Sequence, residues 1–370
     1  MTNSNRSKPV RAATLADVGR AAGVSAMAAS AVLNGARTSS RIAAETRARI
    51  LEAAARLRYR PNATARALVN RRMNTIGVTA VIGGGELNAY AMEIFTGILS
   101  AAAHANQNTT MFTLHDWGRD TARLQGWCDG RIDGMILIAP TLDLEAAKLL
   151  PTHTPFVALH ANTVLPNVIN IESDEERGAY EMVRHLISLG HRRIMHVSGN
   201  RGFIGAERRI NGYKRALANA EIPFSESLLV PATYVGDTAR AAMSAWLKRN
   251  AGQPLPDAVF CANDGIAIGC LEAFAELGLR VPDDISVAGF DDTLAARTTV
   301  PQLTTVRQPL QAMGTRAAEV LLSLIARHAD GGVLDFPNPI VFPVEMVMRS
   351  SVAAARGSAR IVPGNPPVRS

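Results

Sequence analysis

The sequence predicts an α/β protein in which a small all-α domain precedes a larger domain of two lobes, each built on a doubly wound parallel sheet. Apolar residues recur at helical spacing from Thr14 to about Leu57. From residue 75 onward, strand-like apolar runs alternate with Ala-rich amphipathic helices. Strands that are apolar along their whole length and alternate with helices are typical of parallel sheets covered on both faces. About ten such units exceed one comfortable sheet, so two subdomains are expected.

Eight apolar runs are predicted to form the strands of these sheets. They are TIGVTAVI (75–82), NTTMFTL (108–114), GMILIA (134–139), PFVALH (155–160), NVINI (167–171), RIMHVSG (193–199), AVFCAN (258–263) and ISVAGF (285–290). A ligand of such sheets is expected beyond the carboxyl ends of the strands. GGG (83–85) and GNRGFIG (199–205) lack the spacing of a phosphate-binding loop and are interpreted as loops after strands.

Basic charge is concentrated in the N-terminal fifth of the chain. The 370 residues carry a net charge of +7. Residues 1–72 contain 14 Lys and Arg against 3 Asp and Glu, whereas the remaining 298 residues contain 25 against 29. So sharp a boundary indicates a polyanion partner, nucleic acid, for this segment alone. The alternative, a basic surface that is merely solvated, does not predict the boundary.

Composition and motifs exclude several classes of protein. Cys128, Cys261 and Cys270 are widely spaced without a C-x-x-C pair, which argues against a disulfide framework or a structural zinc site and fits a reducing cytoplasm. The N-terminus lacks the apolar core of a signal peptide, and no apolar run approaches the roughly 18 residues of a membrane span. The sequence has no nucleophile elbow, P-loop or metal-spaced His/Glu cluster, so neither catalysis nor a cofactor is expected. A cytoplasmic protein is therefore predicted.

The first of two predicted DNA-contacting motifs reads TLADVGRAAGVSAMAASAVLNG (14–35). Thr14 and Ser25 are placed to cap two helices, and Gly23 suits the tight turn between them. The start of the second helix and its outward positions would face the major groove. An ordinary helical hairpin is the alternative.

The second motif, YRPNATARAL (59–68), predicts a short helix. Pro61 suits the first helical position, Asn62 supplies a polar first turn, and Ala65 allows close approach of another backbone. Leu68 would be exposed on such a helix if it stood alone. An apolar wedge inserted between base pairs in a minor groove explains it. Burial of Leu68 against the next domain is the alternative.

With these motifs in view, the chain resembles the lactose repressor (LacI/GalR) family of bacterial transcription regulators from Thr14 to about Ser351. The matching motifs are D-V-x-x-x-A-G-V-S (17–25), V-L-N-G (32–35), E-T-R-x-R-I-L (45–51), Y-R-P-N-x-x-A-R-x-L (59–68), R-I-D-G-M-I-L (131–137), H-L-I-x-L-G-H-R-R-I (185–194), A-N-D (262–264), G-L-R-V-P-D-D-I-S-V-A-G-F-D-D (278–292) and P-x-L-T-T-V-R-Q-P (301–309).

The resemblance implies a near-palindromic double-stranded DNA operator that a homodimer reads, with Leu68 as the minor-groove wedge. The residues expected to contact DNA are Thr14, Ser25, Ala26, Met27, Ser30, Ala31, Asn34, Tyr59, Asn62, Ala65, Arg66 and Leu68. There is no C-terminal leucine heptad, which weakens any case for a coiled-coil tetramer.

The resemblance also implies domain boundaries. They are a helix-turn-helix DNA-binding domain at 14–58, a hinge helix and linker at 59–74, and an effector-binding and dimerisation domain at 75–351. Polar, aperiodic composition independently predicts a disordered basic arm at 1–13 and a disordered tail at 352–370. The large domain resembles the type I periplasmic binding protein fold. Its first lobe is expected at about 75–163 and 294–330, and its second at about 164–293 and 331–351.

Departures from the family pattern concern the recognition helix. Where the family usually has Thr-Val-Ser-Arg, this chain has Ala28, Ala29, Ser30 and Ala31. Arginine at the last of these positions would pair with guanine, so the operator is expected to differ from the usual half-site where Ala31 faces it. Gly19 stands where the family favours Ala, which is expected to cost the first helix up to ~1 kcal/mol.

Several residues fall on the family's effector-contact positions and indicate a sugar-like or nucleoside-like ligand. They are Asn88, Tyr90, Arg209, Tyr234, Asn263, Asp291 and Gln308. His160, which ends a predicted strand at the expected crossover, is a further candidate. Alternatives remain for three: Asp291 as a cap of the following segment, Asn263 as a turn residue, and His160 as a satisfied loop histidine.

The resemblance therefore implies a DNA-binding transcriptional regulator, most often a repressor, whose operator affinity is gated by a small effector, a carbohydrate by expectation. The alternative is a ligand-binding protein of the periplasmic type, which would need a signal peptide and no basic N-terminal domain. An enzyme on a doubly wound fold is a third possibility without a supporting motif.

Overall fold

A computed structural model of the full chain describes residues 11–34, 42–60, 72–82, 87–330, 336–356 and 360–363. The side chains of Asn34 and of residues 328–330 lie outside this description. Most of the predicted hinge helix also lies outside the described residues, including Asn62, Ala65, Arg66 and Leu68. The chain divides into a smaller unit, Met1–Asn74, and a larger unit, Thr75–Ser370.

The smaller unit consists of three helices in its described part. They are α1 (Leu15–Ala22), α2 (Ala26–Asn34) and α3 (Ala44–Arg56). Thr14 starts α1 through a reciprocal cap: its hydroxyl accepts from the Asp17 amide at 3.3 Å, and its own amide donates to the Asp17 carboxylate at 2.9 Å. Gly23 ends α1 with φ +67°, a left-handed conformation that glycine adopts without strain. Val18 and Ile50 lie at the centre of the three-helix core.

Gly19 has a packing role that the sequence did not indicate. A Cβ atom at this position would lie 2.8 Å from the Val24 carbonyl oxygen. The chain entering α2 therefore approaches α1 too closely for alanine. Gly19 lowers the helix propensity of α1, but it also lets the turn before α2 pack closer to α1 than alanine would allow.

The described part of the larger unit contains twelve strands. They are β1 (Thr75–Val81), β2 (Asn108–Leu114), β3 (Gly134–Ile138), β4 (Phe156–Leu159), β5 (Ile169–Ser173), β6 (Ile194–Ser198), β7 (Leu229–Pro231), β8 (Ala258–Cys261), β9 (Ser286–Asp291), β10 (Thr304–Arg307), β11 (Ile340–Phe342) and β12 (Glu345–Val347). All eight predicted strands are present, with ends that differ by one or two residues. The four unpredicted ones are β7, β10, β11 and β12.

Ten α-helices alternate with these strands along the described chain. They are α4 (Ala89–His104), α5 (Trp117–Asp120), α6 (Arg123–Trp127), α7 (Leu144–Lys148), α8 (Glu175–Ser188), α9 (Ile204–Asn219), α10 (Gly236–Arg249), α11 (Asp264–Glu276), α12 (Leu294–Thr298) and α13 (Leu310–Asp330). The alternation places hydrophobic clusters on both faces of each sheet.

The strands form two six-stranded sheets, one in each lobe. The first has the order β11-β5-β4-β3-β1-β2, and the second has the order β12-β10-β9-β8-β6-β7. All neighbouring strands are parallel except β10 and β12, which are antiparallel. The predicted fold class, a helical domain followed by two doubly wound parallel lobes, is confirmed.

The chain passes between the lobes at positions that differ from the expected boundaries. It crosses after β5, again between β10 and α13, and again between β11 and β12. Strand β5 therefore belongs to the first lobe, β10 to the second and β11 to the first. The observed crossings lie 10–14 residues further along the chain than the expected boundaries at 163/164, 293/294 and 330/331. A strand belongs to the lobe whose strands it pairs with through backbone hydrogen bonds. The pattern of apolar residues along the sequence does not show which strands will pair.

Residues expected to form a disordered tail are ordered in part. Ser351, immediately before this expected tail, is fully buried, and its hydroxyl donates to the Val287 carbonyl oxygen at 2.6 Å. The backbone of Val362 pairs with Gly252 and Gln253, and its side chain is 1% exposed in the second-lobe core. We call residues 351–356 and 360–363 the C-terminal strap. The prediction of disorder from residue 352 is wrong for these residues, because Val352 and Val362 find apolar sites on the lobe surface.

Glycines allow α4 and α13 to cross in close contact on the first sheet. A Cβ atom on Gly97 would lie 1.9 Å from the Gln311 carbonyl oxygen. We expect Gly97→Ala to lower the unfolding free energy by about 1–3 kcal/mol, because one helix must move away from the other. Gly126→Ala in α6 is the matched control, since nothing lies within 4 Å of its Cβ. If both variants have the same unfolding free energy as the parent in urea denaturation, the close crossing of α4 and α13 is contradicted.

Candidate functional site

The second helix of the smaller unit presents a surface that is almost free of polar side chains. The Ser25 hydroxyl accepts from the Ala28 amide at 3.1 Å and so caps the first turn of α2. Met27, in that same turn, is 81% exposed, whereas Ala29 and Val32 lie in the core. The predicted exposure of the start of α2 agrees with this arrangement.

Ala31 does not face outward as expected. It is 6% exposed, so the position that we expected to meet the operator is covered by the protein. A single methyl group does not reach beyond its neighbours as a long arginine side chain would. Tyr59 is likewise half-buried against the three-helix core. Of the predicted set, Ala26 and Met27 are the exposed residues of α2.

Arginines are common on the surface of the rest of the described smaller unit. Seven are exposed: Arg11, Arg20, Arg47, Arg49, Arg56, Arg58 and Arg60. The sequence-derived excess of positive charge therefore lies at the surface, where it can meet phosphate groups.

The larger unit encloses a cavity of about 350 Å³ between its two lobes, at the carboxyl ends of the strands. This volume falls within the ~300–1,000 Å³ typical of small-molecule sites. The predicted residues that line it are Asn88, Tyr90, His160, Arg209, Tyr234, Asn263 and Asp291. The eighth, Gln308, lies behind them and donates to Asp291 at 2.6 Å.

Two of these residues also cap helices. The Asn88 side chain accepts from the Ala91 amide at 2.8 Å and starts α4. The Asn263 side chain accepts from the Ile266 amide at 2.8 Å, starts α11, and donates to the Tyr234 carbonyl oxygen at 3.3 Å. Both alternatives for Asn263, cap and ligand contact, are compatible with this geometry.

An ion-pair cluster, which the sequence did not reveal, forms one wall of the cavity. Arg209 is 5% exposed and its Nη2 lies 2.8 Å from Glu175 Oε1. Its guanidinium also donates to the Ala262 carbonyl oxygen and lies 4.1 Å from the Phe290 ring centre. Arg208 lies 2.9 Å from Glu172 and 3.6 Å from Glu175. Each arginine of this cluster thus has a carboxylate partner within the protein.

A chain of hydrogen bonds joins the two lobes beneath the cavity. It runs from the Tyr90 hydroxyl to His160 Nδ1 (2.6 Å), from His160 Nε2 to the Ser173 hydroxyl (3.3 Å), from Ser173 to Gln308, and from Gln308 to Asp291. All hydrogen bonds in this chain are donated in the same direction, from Tyr90 towards Asp291. The direction is fixed because the Gln308 side-chain oxygen accepts from Ser173 and the Gln308 amide group donates to the Asp291 carboxylate. His160 is then neutral with the proton on Nε2 and accepts from Tyr90. We call these five residues the interlobe chain.

Burial sets the protonation states at both ends of the interlobe chain. It lowers the pKa of His160 to about 4, which keeps the imidazole neutral. It raises the pKa of Asp291 to about 8, in spite of the nearby Arg209. Asp291 also has φ +115°, an uncommon backbone conformation for a residue with a side chain. Asp291 accepts from Gln308 and lines the cavity.

The raised pKa of Asp291 has a measurable consequence for stability. Its value is about 8 in the folded protein and near 3.8 in the unfolded chain, so stability from the bound proton is present at pH 4 and lost as pH rises through 8. Asp291→Asn removes this titration while its amide oxygen can still accept from Gln308. We expect the variant to gain stability relative to the parent by about 1 kcal/mol per pH unit between pH 5 and 8. If the unfolding free energies of the variant and the parent, measured in urea, change in parallel with pH, the raised pKa of Asp291 is contradicted.

No described helix is long and apolar enough to cross a membrane. Within the same residues, no group of three or more His, Cys, Asp or Glu side chains is placed to hold a metal ion.

A basic three-helix unit that precedes two lobes enclosing a cavity defines the class: a helix-turn-helix module joined to a two-lobed ligand-binding fold. Residues 14–62 match the family described as bacterial regulatory proteins, lacI family, and residues 183–352 match the periplasmic binding protein-like domain. The chain is 30% identical over 345 residues to the HTH-type transcriptional regulator DegA of Bacillus subtilis, covering 92% of this chain and 98% of that one. The chain belongs to the LacI family of bacterial regulatory proteins.

Solved structures show the same architecture. The lac repressor dimer bound to operator and the anti-inducer ONPF is 28% identical, with a TM-score of 0.78 over 93% of this chain and 100% of that one. The complex of the transcriptional regulator CelR with cellobiose is 27% identical, with a TM-score of 0.67 over 92% and 99%. These similarities extend over both units of the chain.

Proposed function

We propose that this protein is a sequence-specific DNA-binding repressor whose operator affinity is gated by a carbohydrate in the interlobe cavity. The observation that carries the proposal is the interlobe chain, which ends at a cavity residue and joins side chains of both lobes. A ligand that contacts the cavity from both lobes favours one lobe arrangement over the other. Such differential affinity is what an effector needs to shift a conformational equilibrium.

The DNA contacts are proposed to come from the smaller unit. The exposed arginines would bind phosphate groups, and the start of α2 would read bases through apolar contacts, chiefly between Met27 and thymine methyl groups. Asn62, Ala65, Arg66 and Leu68 of the second motif keep their proposed minor-groove role. A homodimer on a near-palindromic operator, as in the lac repressor dimer, is the proposed assembly.

The competing function is ligand binding without a DNA role. The charge separation, the exposed arginines of the smaller unit and the exposed start of α2 favour the regulator. Selection of bound sequences from a random DNA pool separates the two: the regulator should enrich a near-palindrome with A·T pairs opposite Met27. Enrichment of no sequence, or recovery of the usual family half-site, would count against the proposed readout.

The selected sequence allows a sharper test of α2. Met27→Ala is expected to weaken specific binding by roughly five- to tenfold, because losing a contact with a base edge costs about 1 kcal/mol or more of binding free energy. Leu51→Ala in α3 is the matched control, because Leu51 is an exposed apolar residue at 50% exposure. Equal affinities of the two variants, measured by fluorescence anisotropy at one salt concentration, would exclude Met27 as a reader.

A further inference from the structure

The end of helix α3 has a backbone conformation that residues with side chains seldom adopt. Arg58, one residue beyond the helix cap, has φ +49°, and its amide donates to the Ala55 carbonyl oxygen at 3.0 Å. The following amide, that of Tyr59, donates to the Ala54 carbonyl oxygen at 2.9 Å. This pair of bonds around a left-handed residue is the Schellman motif, in which the left-handed position is usually glycine or asparagine.

The packing of Tyr59 requires the left-handed turn at Arg58. Tyr59 is half-buried against the three-helix core, and a helical conformation at Arg58 would carry it away from that site. At the end of α1, the corresponding left-handed position is occupied by Gly23, with φ +67°. Arginine is less favourable than glycine here, because its Cβ crowds the backbone carbonyl oxygen in this conformation. The stability of the free protein therefore does not account for arginine at position 58.

Strain of this kind is not by itself a sign of function. Glu221 ends α9 in the same motif, with φ +55°. What distinguishes Arg58 is the charge around it. Arg58 lies between Arg56 and Arg60, all three side chains are exposed, and residues 56–60 contain no acidic residue.

The three arginines also lack a compensating charge in the described protein. Glu52 precedes Arg56 by four residues on α3, a spacing that allows an ion pair on a helix. That pair does not form, and among the described residues none of the three arginines has a carboxylate partner. Three like charges within five residues repel one another, and a bound polyanion relieves this repulsion.

The dipole of α3 is a weaker explanation for Arg58. A cation in the last turn of a helix interacts favourably with the carbonyl groups that end it, and Arg56 already holds that position. A second cation just beyond the helix adds to the repulsion between neighbouring charges. A partner outside the free protein is therefore the better explanation, and phosphate is an anion that guanidinium groups bind in a bidentate manner.

We propose that Arg58 is a fixed phosphate contact of the DNA complex, present at a cost to the stability of the free smaller unit. This inference rests on the proposed function of the smaller unit, and it singles out one exposed arginine whose position the backbone sets. The Schellman motif and the packing of Tyr59 hold the base of the Arg58 side chain in one place, so less freedom is lost on binding. Because every phosphate is alike, Arg58 positions the protein on DNA without reading sequence.

Two substitutions separate the charge of Arg58 from its strain. Arg58→Gln removes the charge and keeps a side chain in the left-handed conformation, whereas Arg58→Gly removes both. Fluorescence anisotropy with the full chain should show the Kd for the selected operator rising by roughly three- to tenfold in both variants. The slope of log Kd against log salt concentration should fall by about 0.9, the value for one phosphate contact. The same loss is expected on non-specific duplex DNA.

The two variants should differ in the stability of the free smaller unit. Hydrogen exchange of the α3 amides is measured by mass spectrometry on the full chain without DNA. We expect it to slow by roughly three- to tenfold in Arg58→Gly, because the strain is removed, and to be unchanged in Arg58→Gln. An arginine that stabilised the free helix through its dipole would give the opposite sign, with faster exchange in both variants.

Two controls lie in the larger unit. Glu221→Gly removes the same strain from the end of α9 and should slow exchange there without changing the operator Kd. Arg184→Gln removes one exposed arginine of α8 and should leave the Kd unchanged, which excludes an effect of net charge alone.

Each remaining outcome overturns the inference. An unchanged Kd and salt slope in Arg58→Gln would show that Arg58 does not contact phosphate. Faster exchange in Arg58→Gly would show that arginine stabilises the free helix. A loss confined to the selected operator would make Arg58 a reader of bases. A parent chain that binds no DNA would instead overturn the proposed function, so the two failures are distinguishable.

Discussion

Replacing Arg209 with methionine is expected to lower the unfolding free energy of the larger unit by about 3–5 kcal/mol. Glu175 is 3% exposed, so loss of its partner leaves a buried carboxylate with only the more distant Arg208 as compensation. The Arg209 guanidinium also packs over Phe290, and methionine retains part of this apolar contact. Urea denaturation measures the loss.

Two comparisons make this prediction specific to the buried pair. Arg184→Met removes an exposed partner of Glu181 and should change stability by less than about 1 kcal/mol. Adding Glu175→Gln to Arg209→Met should restore part of the lost stability, since the stranded charge is removed. If Arg209→Met costs no more than Arg184→Met, the ion-pair cluster is not the support of the cavity wall that we describe.

The second large effect is expected at the C-terminal strap. Val362→Asp should lower the unfolding free energy by about 2–3 kcal/mol, because the strap must leave its site rather than bury a carboxylate among Leu255 and the other core residues. Release would also break the ion pair between Arg360 and Asp284, at 2.5 Å.

The neighbouring residue supplies the control for the strap. Ile361 is 63% exposed, so Ile361→Asp should change stability by no more than about 0.5 kcal/mol. Both variants introduce the same charge one residue apart, and only burial distinguishes them. Equal unfolding midpoints for the two variants would show that the strap is not held as described.

The sequence predicted most of the inner strands of both sheets because these strands are apolar along their length and are buried on both faces. It did not predict β10, whose sequence TTVR is mostly polar, or β7, β11 and β12, which have three residues each. Strands β11 and β12 contain no fully buried residue, so they lack an apolar signal. Their pairing comes from backbone hydrogen bonds at a sheet edge.

The site residues that lie in family motifs could be predicted from the sequence. Arg209, Asn263 and Asp291 stand in family motifs, and the structure brings them to one cavity. Glu175 and Ser173 were missed because a carboxylate in the first turn of a helix and a serine at a strand end have common local roles. Their partners, Arg209 for Glu175 and His160 and Gln308 for Ser173, are distant in sequence and come close only in the fold.

Local sequence was least informative about the exposure of single residues in α2. Ala31 occupies the position of a base-reading arginine in the family, yet it is buried. Met27, one turn earlier, has the exposure that a reader needs. Helical spacing gives the face on which a residue lies, but the length of its side chain decides whether it reaches a partner.

The effector-gated operator affinity is tested most directly by one equilibrium measurement. Fluorescence anisotropy gives the Kd of the full chain for its selected operator, first alone and then with a saturating carbohydrate whose binding to the chain calorimetry has established. We predict that the Kd changes by roughly 5- to 150-fold, the range of a coupling energy of about 1–3 kcal/mol. An unchanged Kd, with the carbohydrate bound and the operator still recognised, would contradict the proposed gating.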